Sequence, residues 1–405
     1  ISEGVPMWED LEVFVRGKMQ AFVQSLLEEE VTELVGRARS ERRAAVDAAP
    51  GYRNGYGKPR RLATLSGTIT LRRPRLRGLE ARFESRILPL FRRRTKELGE
   101  LLPELYLHGL SLGDFELALR GLLGEGAPLS PASIARLKAG WQLEYDAWKA
   151  RELSDRELVY VWADGVYVKA GLEKERACLL VVIGAFRDGH KELLALASGY
   201  RESTESWLAV LRDLKARGLG APVHAIADGA MAFWAAAAQV WPQTSFGRCW
   251  NHAIVNCLDK LPKSKQRAAK ILLCAIPQAP TRAEAARLRD GFIRRYRASY
   301  PEAVATLEKD WEALTTFYDF PAEHWKHLRT SNVVESPFAS LRLRTGAAKR
   351  FKVVANASML IWRVLRVVER RFRKLDAPEL LKDVYEGRRF VDGKAVTPAI
   401  RRKAA

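Results

Sequence analysis

Leu158 to Ala170 reads LVYVWADGVYVKA. Six apolar or aromatic residues climb to a single carboxylate, Asp164, and Gly165 follows at once. Short apolar runs ended by turn residues read as buried strands. A carboxylate at the end of such a run is costly to bury alone, so it needs water, a cation or a proton. The pattern recurs where Val223–Ala227 runs into Asp228 and Gly229. A third acid, Glu335, stands far downstream in RTSNVVESPF.

The surroundings of the first stretch set the fold class. Residues 177–186 and 191–197 read as two more strands, with Arg187-Asp188-Gly189 as the turn between them. A helix over 206–217, ended by Gly218, leads to the strand before Asp228. Then come an alanine-rich helix over 230–240, a short strand over 244–249 and a helix over 251–261. Three strands followed by alternating helix and strand predict a mixed α/β sheet, α+β in character, with its first three strands antiparallel. Residues 263–320 are charged and free of strand pattern, so they read as a helical insertion before Glu335. Helices are expected over 332–344 and 353–374, followed by a basic tail after Pro378.

The N-terminal part differs. Over 8–39, Leu11, Phe14, Val15, Met19, Phe22, Val23, Leu26, Leu27, Val31, Leu34 and Val35 are spaced by threes and fours, as on one side of a helix. That side would pack on its own core or on a partner helix in a dimer. Residues 51–78 carry Arg53, Lys58, Arg60, Arg61, Arg72, Arg73, Arg75 and Arg77, interleaved with Tyr52 and Tyr56. Alternation over 62–71 around Ser66-Gly67 suits a hairpin, and basic short strands suit a clamp on a nucleic acid backbone. Residues 97–153 read as three helical pieces, with Ser111 and Ser130 placed as N-caps and Pro131 in a first turn. Their arrangement fits a helix-turn-helix, with Arg136 and Lys138 as groove residues on the third helix.

Composition narrows the partners. The chain has 405 residues, and 68 Lys and Arg against 48 Asp and Glu give it a net charge of +20. Such a field attracts polyanions. No apolar run reaches membrane-spanning length, so no membrane is expected. No secretory signal is apparent, and the four cysteines do not form a disulfide framework, so a reducing, cytoplasmic setting is expected.

Three acids in a basic chain point to phosphoryl transfer. Two Mg²⁺ ions about 4 Å apart can clamp the attacking and leaving oxygens of a phosphodiester. Mg²⁺ prefers carboxylate oxygens and keeps several waters, so three acids suffice if one bridges. Asp164 and Asp228 on neighbouring strands would share one edge of the sheet, and Glu335 on an adjacent helix would close the site. An acid before glycine is also a turn signal, and Glu335 sits at capping-box spacing from Asn332. Rival carboxylates are Asp188 with Glu192, and Glu202 with Glu205. Cys249 and His252 form a C-x-x-H pair; zinc would need two more ligands and only Cys257 is near, so a hydrogen-bonded or packing role is the reading. No phosphate-binding loop, serine-hydrolase elbow or dinucleotide fingerprint is present.

Several stretches resemble one family. They are GYRNGYGKPR with PRLRG, YLHGLSLGDFELAL with LSPASIARL, and Asp164-Gly165-x-Tyr167-x-Lys169. With them go ESW at Glu205–Trp207, DLKARGL, Asp228-Gly229, RCWNH, LPK and HWKHLRTSNVVES followed by RLRT. In this order they resemble bacterial insertion-sequence transposases of the Mutator-like superfamily, the IS256 family, from about residue 51 to 351. The resemblance implies an RNase H-like core carrying a DDE triad, Asp164, Asp228 and Glu335, interrupted by an all-helical insertion. It implies cleavage at transposon ends with Mg²⁺, or Mn²⁺, two ions per site, then attack by the freed 3′-OH on another strand. Partners would be double-stranded DNA, both terminal inverted repeats and target, and a second copy of the chain, since two ends are joined. The protein would be nucleoid-associated when bound to DNA.

Gly247 stands where the family usually has glutamine, and Ser331 and Ser336 where Thr and Arg are typical. Arg329, Arg342, Arg344 and Arg350, near Glu335, join the expected DNA contacts. The expected divisions are a helical segment over 1–50, the basic hairpin over 51–95 and the helix-turn-helix over 96–153. The core would occupy 154–261 and 326–376, split by the insertion over 262–325, with a tail over 377–405. Two other readings compete: a non-catalytic, domesticated DNA-binding protein, and an RNase H-like nuclease that cuts without joining.

Overall fold

The computed structural model describes residues 8–42, 51–89, 92–107, 131–169, 177–199, 201–229, 231–348, 351 and 354–396. Two compact units are formed, 1–138 and 139–405, and the boundary falls inside the helix Pro131–Lys149.

In the first unit, the helix Leu11–Val35 packs against a hairpin of β2 (Arg60–Thr64) and β3 (Gly67–Leu71). The two strands pair antiparallel from Arg60↔Leu71 to Thr64↔Gly67, so the hairpin is as expected but its turn is Leu65-Ser66, one residue before the expected Ser66-Gly67. β1 (Tyr52–Tyr56) pairs with β4 (Pro74–Arg77) as a second antiparallel ribbon. A small core of Leu27, Ile69, Leu71 and Leu88 holds the helix to the hairpin. Gln20 and Gln24 reach across to the β3 edge: Gln20 accepts from Thr70 N, and Gln24 accepts from Arg72 N, both at 2.9 Å. The helix departs from the expected single apolar side. Leu27, Val31 and Val35 are buried, while Val13, Val15, Phe22 and Leu34 are exposed, so its apolar residues surround it. The expected turn of the helix-turn-helix, with Ser111 and Ser130, lies outside the described residues.

The second unit is built on one sheet. β5 (Leu158–Val168), β6 (Ala177–Phe186), β7 (Lys191–Gly199), β8 (His224–Ala227) and β9 (Ser245–Arg248) lie in the order β7-β6-β5-β8-β9. β5, β6 and β7 are antiparallel to one another, and β8 and β9 run parallel to β5. The mixed sheet with an antiparallel first half is therefore as expected. Its central strands read as continuous apolar runs because both faces are covered. On one face Val161, Ala163, Ala225 and Ala227 pack with Trp207, Leu211 and Phe233 of the helices Thr204–Ala216 and Met231–Val240. On the other, the Tyr160 hydroxyl meets His324 Nδ1 at 2.9 Å and Trp162 Nε1 donates to the His327 carbonyl at 2.9 Å.

Local signals explain the ends of these elements. Ser203 caps Thr204–Ala216 by accepting from Ser206 N, and Thr281 caps Arg282–Tyr296 by accepting from Glu284 N. The stretch expected to be helical is so, with helices Lys263–Ala275, Arg282–Tyr296, Pro301–Lys309 and Trp311–Thr315, and no strand falls within it among the described residues. The single helix expected over 332–344 is two, Asn332–Glu335 and Phe338–Ala348, because Pro337 between them has no N–H for an intrahelical bond. No helix among the described residues is long and apolar enough to cross a membrane.

Candidate active site

β5 and β8 bring the two aspartates together. Their last shared rung is Trp162↔Ile226, and each acid lies two residues beyond it on its own chain. Side chains alternate across a strand, so Asp164 shares the face of Tyr160 and Trp162. Asp228 follows β8 directly, in the parity of His224 and Ile226. The expectation that Asp164 ends its strand is corrected: β6 stays paired with β5 as far as Val168↔Ala177. Asp164 stands where the parallel neighbour stops and the sheet opens.

A third carboxylate joins them. Ligand oxygens of Asp164, Glu202 and Asp228 lie within 4.8 Å of one another. Glu202 follows β7 and reaches the pair through space that Gly165 leaves open. A Cβ at Gly165 would sit 2.4 Å from Glu202 Oε1. Burial raises the Glu202 carboxyl first, and the Asp228 charge raises it further. The Tyr167 side chain lies beside Glu202 and works to lower its pKa. Asp164 is pushed up to about 7, chiefly by burial, and further by the charges of Glu202, Asp228 and Glu335; a 2.8 Å bond from Gly165 N opposes this. Negative charge is thus concentrated in a strongly cationic chain, a condition a divalent cation relieves.

Glu335 closes a second group on the same face. The turn Asn332–Glu335 packs on β5. Ligand atoms of Cys249, His252 and Glu335 lie within 4.8 Å of one another, and His252 Nδ1 is 3.8 Å from Glu335 Oε1. Buried Ser331 donates to Glu335 Oε1, so the acid's side chain is held by a hydroxyl and does not act as a helix cap. The C-x-x-H stretch is tied to the Glu335 stretch directly. Trp250 N donates to the Arg329 carbonyl at 2.9 Å, and Asn251 Nδ2 to Asn332 Oδ1 at 3.2 Å. His252 is raised to about 9, first by its hydrogen bond with Cys249, and Glu335 and Asp228 add to this against burial. Burial works to raise the Cys249 thiol, but hydrogen bonds with His252 and Ser331 outweigh it and hold the thiol below its ordinary value.

The pattern that defines the family described as "Transposase, Mutator family" matches residues 7–374. The chain belongs to that family of transposases. It is 45% identical over 297 residues to the transposase for insertion sequence element IS6120 of Mycolicibacterium smegmatis, covering 73% of this chain and 92% of the relative. It is 45% identical over 278 residues to the transposase for IST2 of Acidithiobacillus ferrooxidans, covering 68% and 94%. A more distant relative, the transposase for ISRM5 of Rhizobium meliloti, is 28% identical over 341 residues, 83% of each chain.

The transposase's other candidate residues are placed as follows. Arg61, Arg72, Arg75, Arg77, Arg136 and Arg342 are exposed. Lys138 is half-buried. Arg53 pairs with Glu28 at 3.0 Å, Arg60 donates to the Arg92 carbonyl at 2.8 Å, and Arg73 donates to the Phe83 carbonyl. Arg329 braces the insertion, donating to the Pro277 carbonyl at 2.6 Å and to Gln278 Oε1 at 2.8 Å. Arg350 and the side chain of Arg344 lie outside the described residues. Of the rival acids, Asp188 accepts from His190 N in the hairpin turn, and Glu192 pairs with Arg151 and Arg156. Glu205 lies in the first turn of its helix. Glu202 is the acid that the sequence reading set aside and the structure brings in. Its local signal is Gly165, whose missing side chain it occupies.

Proposed function

We propose that this transposase is a DDE enzyme with an RNase H-like core, and that Asp164, Asp228 and Glu335 hold its divalent ions with Glu202 as a fourth acid. The observation that carries the reading is the convergence of acids from adjacent parallel strands, with the Glu335 turn packed on the same strand. The donor set fits Mg²⁺ or Mn²⁺, because the three clustered groups are all hard carboxylate oxygens. Two such ions would activate the attacking oxygen and neutralise the leaving one.

The chain's own groups have defined tasks. Asp164 and Asp228 fix the cation positions from a rigid sheet, as precise placement requires. The half-buried His252 and the buried Ser331 and Cys249 aim Glu335. In the first step the oxygen of water bonds to the scissile phosphorus, the P–O3′ bond breaks, and a proton ends on the freed 3′ oxygen. In the second, that 3′-OH attacks a target phosphorus, joins the strands and releases the target's own 3′-OH. Both substrates are double-stranded DNA, and a homodimer would hold two ends. A reaction on bacterial chromosomal DNA places the enzyme in the cytoplasm, at the nucleoid.

The test is incubation of the protein with labelled DNA from its own element's ends and Mg²⁺. Nicked and joined products are expected from the native chain. Asp164→Asn, Asp228→Asn and Glu335→Gln should each bind the DNA and yield neither product. Binding without any product from the native chain would make it a non-catalytic DNA-binding protein, and nicks without joining would make it a nuclease.

A further inference from the structure

Holding Glu335 does not exhaust what the C-x-x-H stretch can do. Cys249 Sγ, a ring nitrogen of His252 and a carboxylate oxygen of Glu335 form one tight group. The third ligand atom is thus supplied by Glu335, far along the chain, and not by Cys257, the candidate near in sequence. His252 Nδ1 stands 3.8 Å from Glu335 Oε1. That nitrogen is enclosed by protein and makes no hydrogen bond. A tetrahedral ion with Zn–N and Zn–O bonds of about 2.0 Å holds such atoms about 3.3 Å apart, so about half an ångström of movement closes the site.

The two clusters differ in chemistry. Asp164, Glu202 and Asp228 offer hard oxygens only, whereas this group offers sulfur, nitrogen and one carboxylate. Thiolate and imidazole suit Zn²⁺, while Mg²⁺ takes oxygen ligands in an octahedron. A thiolate and a carboxylate carry two negative charges, so a divalent ion leaves the group neutral. Zn²⁺ accepts three protein ligands with water in the fourth position. The side chains of His252 and Glu335 are 38% and 29% exposed, so ion and water have a way in. The ligands are also set in place. Cys249 stands at the N-terminus of the helix Trp250–Asp259, where the thiolate form of cysteine is favoured. Trp250 N and the Asn251 side chain pin this stretch to Arg329 and Asn332, beside Glu335.

We propose that Cys249, His252 and Glu335 form a second metal site, for the thiolate-seeking cation Zn²⁺, and that its occupancy withdraws Glu335 from the Asp164–Asp228 centre. Glu335 lies with Cys249 and His252 and outside the tight group of Asp164, Glu202 and Asp228. An ion that fixes it there keeps it from the Mg²⁺ centre, so zinc inhibits. The withdrawal rests on the DDE reading; the site itself does not.

The test uses the full chain and two probes. Co²⁺ in a zinc site reports thiolate ligation by a sulfur-to-metal absorption band in the near ultraviolet. The native chain should show that band, and Zn²⁺ should remove it. Cys249→Ser should lose it, with Cys249→Ala in its place if the serine variant does not fold. Cys274→Ser, at the exposed cysteine outside the group, should keep it. Glu335→Gln should bind Co²⁺ about a hundredfold more weakly, at least the cost of losing a partner that only orients a ligand. Asp164→Asn should bind Co²⁺ as the native chain does. The second probe is Mn²⁺ at the acidic centre, titrated by electron paramagnetic resonance with and without one equivalent of Zn²⁺. Zinc should weaken Mn²⁺ binding to the native chain by about tenfold or more and leave Cys249→Ser unaffected. Thermal unfolding checks that the variants fold.

Absence of the sulfur band, a band that survives Cys249→Ser, or native Co²⁺ affinity in Glu335→Gln overturns the site. Mn²⁺ binding to the native chain that zinc does not move overturns the withdrawal. So does an equal effect of zinc on Cys249→Ser, which would mean competition at the aspartates. If Mn²⁺ does not bind even without zinc, the acidic-centre reading has failed and takes the withdrawal with it, while the cobalt band still decides the site.

Discussion

Asp164→Asn should make the metal-free protein more stable at alkaline pH. Asp164 titrates near 7 instead of at the ordinary 3.8, because it is buried among carboxylates. An acid whose folded pKa is raised favours folding while protonated, and that advantage is lost as pH rises through about 7. Carrying the charge at pH 8 costs about 4 kcal/mol at the usual 1.4 kcal/mol per pKa unit. Solvent at this half-buried site screens the charge and cuts that to roughly 2 kcal/mol. Asparagine keeps an oxygen to accept from Gly165 N and sheds the charge. The expected gain is about 4 °C in melting temperature, measured with chelator at pH 8. The gap between variant and native chain should narrow as pH falls below about 7 and close only below the ordinary 3.8, where the unfolded carboxyl is protonated too. Mg²⁺ should stabilise the native chain at pH 8 and leave the variant unmoved. A gain that does not change with pH, or no gain at pH 8, would refute the crowded-carboxylate reasoning.

Three more outcomes follow from named contacts. Gly165→Ala should displace Glu202, since its Cβ would meet Oε1 at 2.4 Å, and weaken Mn²⁺ binding by about tenfold; an unaltered Mn²⁺ titration followed by electron paramagnetic resonance would remove Glu202 from the site. His252→Ala should loosen Glu335 and lower Mn²⁺ affinity by about tenfold or more while sparing DNA binding, as calorimetry and anisotropy would read; equal affinity would show that Ser331 alone positions the acid. Gly218→Ala should destabilise by about 1–3 kcal/mol, because Gly218 has φ +90 and its Cβ would lie 2.9 Å from Ser154 Cα; a melting temperature within error of native would count against this.

Much of the second unit was legible in its sequence, for physical reasons. A strand covered on both faces must be apolar along its length, so the runs before Asp164 and Asp228 announced themselves, and the glycines after them marked where the chain turns or is crowded. The register that sets the two acids side by side depends on pairing between β5 and β8, which no local pattern encodes. Glu202 was not legible as a site residue for the same reason. It belongs to a different strand end and meets Asp164 only because β6 and β7 fold back and Gly165 leaves room. Glu335 was picked out by its neighbours in the family motif, whereas its capping-box spacing pointed the wrong way: Ser331 binds its side chain. The length of β5 was misjudged because the acid resembles a terminator, while β6 supplies backbone partners to Val168. The helix Leu11–Val35 showed spacing by threes and fours, yet the adjacent pairs Phe14-Val15, Phe22-Val23 and Leu34-Val35 stand about 100° apart round the axis, so the set does not mark one face.

The central claim concerns where cations bind, and anomalous diffraction from Mn²⁺-soaked crystals tests it most directly. The account predicts Mn²⁺ peaks ligated by Asp164, Asp228 and Glu335, with Glu202 at the edge of the same site. Peaks elsewhere, or Mn²⁺ at the two aspartates with Glu335 still turned to His252 in the presence of end DNA, would contradict it.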